Sequence, residues 1–114
     1  MGQNVWMKSG KVMNLFSGSG TTSAVASSFI YKDSPNATFQ ATVSGTGTVT
    51  ATINIEYSND GVNACTTVGG TITLSGTTSS TDGFTSQNAP WKYVRANVTA
   101  ISGTGAVVQV YMGV

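Results

Sequence analysis

From Ala37 to Tyr57 the chain alternates with a period of two. Ala37, Phe39, Ala41 and Val43 interleave with Thr38, Gln40, Thr42 and Ser44; Val49, Ala51, Ile53, Ile55 and Tyr57 interleave with Thr50, Thr52, Asn54 and Glu56. Side chains of an extended chain point to opposite faces in turn, so this pattern predicts strands with one dry and one wet face. The short glycine-bearing link Gly45-Thr46-Gly47 predicts that the two runs form a β-hairpin. The C-terminus has the same form. Val94, Ala96, Val98 and Ala100 alternate with Tyr93, Arg95, Asn97 and Thr99, and a second link leads to Val108, Val110 and Met112. Ser-Gly-Thr-Gly stands at both links, 44–47 and 102–105. Duplication and convergence of two turns both account for that.

Elsewhere, Val12 to Phe16, Ala24 to Tyr31 and Thr71 to Leu74 read as shorter strands. Asp33-Ser34-Pro35-Asn36 and Ser58-Asn59-Asp60-Gly61 read as turns, and Thr77 to Gly83 as a polar loop. No segment carries a helical stripe. Thr, Ser and Gly together supply 46 of 114 residues, a composition that suits pleated sheets and tight turns. The expected fold is an all-β antiparallel sandwich, jelly-roll-like or immunoglobulin-like, with about seven or eight strands. Residues 1–114 are one domain, with 1–11 an extended arm or an edge strand.

The inventory of reactive groups is sparse. There is no His, hence neither the commonest general base nor the commonest metal ligand. Cys65 is the single cysteine, which excludes an internal disulfide and leaves a thiol without a histidine to activate it. Asp60 and Asp82 each precede a glycine, where turn geometry accounts for them better than a glycosidase pair does. Gly18-Ser19-Gly20-Thr21 lacks the lysine of a phosphate-binding loop, and the acids are too dispersed for calcium. Asn36 and Asn97 head glycosylation sequons by the chance expected of a Thr-rich chain. No enzyme, metal or cofactor is expected. A net charge of +1 argues against nucleic acid, and no apolar run is long enough for a membrane helix. The first residues show no secretory pattern.

Charged residues are only 8% of the chain, against about 25% in an ordinary soluble domain. A surface made wet by hydroxyls has little charge to desolvate and suits lasting contact with neighbours. Trp91, Tyr93 and Arg95 are spaced by two and are expected on one face of one strand, either as a contact row or, for Trp91, as core-edge packing. Lys8, Lys11 and Lys32 make the first 32 residues basic, with no acid among them. Trp6, Lys8 and Lys11 in the N-terminal segment join Trp91, Tyr93 and Arg95 as candidate partner contacts.

Two stretches, Ala37 to Gly61 and Ala89-Pro90-Trp91-Lys92-Tyr93-Val94-Arg95-Ala96-Asn97-Val98-Thr99, resemble small virion proteins of tailed bacteriophages, above all capsid decoration (cement) proteins. The resemblance covers residues 37–114. It implies a β-rich protein present in many copies on the outside of an icosahedral shell, bridging subunits of the major capsid protein after synthesis in the bacterial cytoplasm. A different class is also open: a carbohydrate-binding or host-adhesion module of a head or tail fibre, with Trp91 and Tyr93 as a stacking platform.

Overall fold

The computed structural model describes residues 12–21 and 29–114, and among these the protein is all-β. Five strands are present: β1 (Val12–Gly18), β2 (Ile30–Tyr31), β3 (Ala37–Ser58), β4 (Cys65–Ser86) and β5 (Tyr93–Gly113). Every pairing is antiparallel, in the order β1-β5-β3-β4. The two short strands share the free side of β5: β1 lies along Val108 to Gly113 and β2 along Tyr93 and Val94.

Three strands are far longer than expected. At about 3.3 Å per residue a 22-residue strand reaches some 70 Å, yet the longest dimension of the molecule is 43 Å. The strands therefore bend at mid-length. In β3 the register slips between Ser44 and Thr48 and Gly47 has φ 72°. In β5 the bend holds Gly103 (φ 129°) and Gly105 (φ 64°), and in β4 it holds Thr78 (φ 64°). Thr46 pairs with Thr104 and Thr48 with Thr77, so the three bends lie side by side as one crease across the sheet.

The crease divides the sheet into two leaves whose apolar faces meet. Phe39 near one end of β3 approaches Tyr57 near the other, ring centroids 6.4 Å apart. Across the same gap the Tyr57 hydroxyl donates to Ser86 Oγ at 2.9 Å. Between the leaves lie the predicted apolar rows: Ala41, Val43, Val108, Val110 and Met112 from one, and Val49, Ile53, Ile55, Leu74, Val94 and Val98 from the other, all buried. The wet rows of Thr and Ser form the outer faces.

The links 45–47 and 102–105 are thus not hairpin turns. The chain bends there and continues, because β4 and β5 flank β3 along nearly its whole length and take the hydrogen bonds of both halves. β3 and β5 each unite two of the strands expected from the sequence, which accounts for the larger expected number. Thr77 to Gly83, expected as a loop, is strand: it pairs with 40–48 and, as an exposed edge, carries no apolar alternation. The true reversals are 59–64 and 87–92. Of the expected strand 24–31, Ile30 and Tyr31 are strand, and 22–28 lies outside the described residues.

Candidate contact surface

The leaf ends opposite the crease form a mouth, and the chain closes it with its own backbone. Lys32 N donates to Lys92 O at 2.7 Å and Ala89 N to Pro35 O at 2.9 Å, while Asn88 N donates to Asn36 Oδ1 at 3.1 Å. The Lys32 side chain is buried at 2% exposure. Its Nζ donates to Ser34 O and Ala89 O, each at 2.6 Å, and sits 5.3 Å from the centre of the Tyr57 ring. Burial, and secondarily the Lys92 charge, push its pKa below the ordinary lysine value.

Trp91 precedes β5 and lies flat on Tyr57, centroids 6.3 Å apart at 12°, packed against the core. It therefore does not share a face with Tyr93 and Arg95, which lie opposite the buried Val94 and Ala96. The spacing of two held only from Tyr93, where the strand begins. Arg95 is engaged: Nε meets Glu56 Oε1 at 2.8 Å and the guanidinium lies 4.8 Å over the Phe29 ring. Asn97 Nδ2 donates to the other oxygen of Glu56, a carboxylate of 1% exposure. This triad, joining β3 to β5 on the outer face, was invisible to spacing rules because Glu56 lies some forty residues from its partners.

Tyr93 stands edge-on to Tyr31, centroids 5.8 Å apart at 75°. Tyr31 is 57% exposed and was not anticipated, because its position depends on the pairing of Ile30-Tyr31 with Val94 and Tyr93. It also borders an apolar groove lined by Val12, Met13, Ile30, Asp33 and Val114. Val12 in that groove is 74% exposed. The aromatic pair and the groove together make a continuous surface at the mouth. Trp6, Lys8 and Lys11 lie outside the described residues.

The acids serve turns and pairs. Asp60 accepts from Val62 N, Asn63 N, Asn63 Nδ2 and Ser58 Oγ, all at 2.8 Å, which holds its carboxyl far below the usual range. Asp82 lies within β4, not at a turn, and accepts from Gly83 N. Cys65 opens β4 opposite Tyr57 and is half-buried. Among the described residues no three potential metal ligands come together. The surface at the mouth offers aromatic edges and an apolar groove, chemistry for contact with another chain.

No protein-family model matches the chain, and neither a curated protein nor a solved structure is detectably similar to it.

Proposed function

We propose that this protein is a structural virion component that binds the outer surface of a bacteriophage capsid and stabilises contacts between neighbouring capsid subunits. In this reading the doubled-over sheet is a β-sandwich of jelly-roll-like character, made by folding one sheet rather than stacking two. The partner is the major capsid protein, and many copies decorate one shell. The observation that carries the reading is the Tyr31–Tyr93 pair, Tyr31 exposed and Tyr93 half-buried, continuous with the apolar groove at the mouth. It stands on a thin slab of 43 × 38 × 19 Å whose three long strands each cross the crease. Multiple copies on a lattice compensate for modest affinity at each contact. A sugar platform gains less support, since Tyr31 and Tyr93 are nearly perpendicular and one face of Trp91 rests on Tyr57.

Co-sedimentation with shells of the virus encoding the chain tests this reading. Wild type is expected to pellet with capsids, and the double variant Tyr31→Ala, Tyr93→Ala to lose at least tenfold in occupancy. Equal occupancy would remove this surface from the reading, and no pelleting at all would refute it. Deleting residues 1–11 separates an arm from the mouth. Glycan binding abolished by Trp91→Ala would favour the adhesion module instead.

A further inference from the structure

We infer that the outer edge of β4 is a self-pairing surface, through which two copies of this chain join about a twofold axis at the crease. The inference stands whether or not a capsid is bound. Among the described residues β4 pairs only with β3, so the other side of a 22-residue strand is unpartnered. Such an edge is normally blunted by Lys, Pro or a short length. β4 contains no Lys, Arg or Pro, and its one charge is Asp82.

The bend selects the partner. A straight strand would pair along one leaf only, whereas a strand bent at its middle follows both. Antiparallel pairing of bent strands is already present in the molecule: Ser44-Gly45-Thr46 on β3 and Ser102-Gly103-Thr104 on β5 run in opposite directions and meet Thr46 to Thr104. β4 carries the same three residues, Ser75-Gly76-Thr77, followed by Thr78 with the positive φ of Gly47 and Gly105. A second β4 pairing in the same manner meets the first Thr77 to Thr77, and the crease runs on unbroken into the second copy. Residues 79–86 of each copy then lie along 68–75 of the other. The two Asp82 carboxylates fall on opposite leaves, away from each other. The isologous patch is then residues 68–86, 19 from each copy, close to the roughly 20–30 residues per side of a stable interface.

Sedimentation velocity across micromolar concentrations tests this, with circular dichroism confirming that each variant keeps its sheet. Wild type is expected as a dimer and Thr77→Lys, which sets two ammonium groups at the axis, as a monomer weakened at least tenfold in association. The second measurement is oxidation in a Cys65→Ser background. Directly opposed residues of antiparallel strands have Cα atoms about 4.5–5.5 Å apart, within disulfide range. Thr77→Cys is therefore expected to give a covalent dimer, and Thr99→Cys on the outer face of β5 to stay monomeric. Wild type remaining monomeric overturns the inference. So does a dimer indifferent to Thr77→Lys, or equal cross-linking at both positions.

Discussion

Thr78 holds a backbone angle that its own side chain resists. At φ 64° it lies in the left-handed region, where a β-branched residue is rare and costs about 1–2 kcal/mol. Gly47 and Gly105 occupy the same place in the other two bends without that cost. Thr78→Gly is therefore expected to stabilise the fold by about 1 kcal/mol, after the greater unfolded-state freedom of glycine is subtracted. Urea denaturation checks it, and a loss of stability would mean that the threonine side chain has an unseen function in the bend. Lys32 gives a prediction about pH. Burial disfavours its charge, so between its lowered folded pKa and the ordinary value of 10.5 the folded chain binds fewer protons than the unfolded one. Stability therefore rises with pH in that window. The Tyr57 phenol, pushed up by burial, acts in the opposite direction only above about pH 10. Denaturation midpoints measured from pH 7 upward are expected to climb for wild type and to climb less for Lys32→Met. Identical slopes would show that the amine is not the titrating group.

At the scale of the element, the repeated tetrapeptide is a bending device whose two glycines differ. A Cβ at Gly103 would stand 2.8 Å from Val49 Cγ1 and 2.9 Å from Thr48 O, on a backbone already at φ 129°. A Cβ at Gly47 would meet nothing within 4 Å, so only its φ of 72° requires glycine there. Gly103→Ala is accordingly expected to cost about 3 kcal/mol or more, from crowding added to backbone strain. Gly47→Ala is expected to cost about 1–2 kcal/mol. Chemical denaturation of the two variants gives the order, and the reverse order would place the tight side of the crease elsewhere. The Glu56–Arg95–Asn97 triad is a second device of this scale, joining β3 to β5. Glu56→Ala strands a partly buried guanidinium, with an expected loss of about 3 kcal/mol in the same assay.

For the molecule as a whole, neither leaf has a core of its own, because each covers the apolar face of the other. Unfolding is expected as one cooperative transition, with far-ultraviolet and near-ultraviolet dichroism changing together. Separate transitions would mean that one leaf survives alone. Phe39 touches both Tyr57 and Phe84, so Phe39→Ala is expected to cost about 3–5 kcal/mol. Tyr57→Phe removes the hydroxyl bond to Ser86 across the mouth at a cost of about 1 kcal/mol, measured in the same way. Several features of this architecture were legible beforehand. The turn at Asp60 was read, and so were the buried rows, residue by residue except at Ala100, which is exposed because β5 bulges where Thr52 gives way to Ile53 in the register. Tyr31 at the mouth and Lys32 beneath it were not, since each owes its environment to segments distant in the chain.

Alternation by itself determined that β3 and β5 are sheet and which side of them is dry, because successive side chains of an extended backbone must point opposite ways. Only the tertiary structure decided that Ser-Gly-Thr-Gly bends the chain instead of reversing it. Glycine permits either course, and the choice belongs to the neighbouring strands that accept and donate the hydrogen bonds on both sides. The same applies to Trp91: its spacing from Tyr93 is local, but the flat face of Tyr57 that receives it is supplied by another strand.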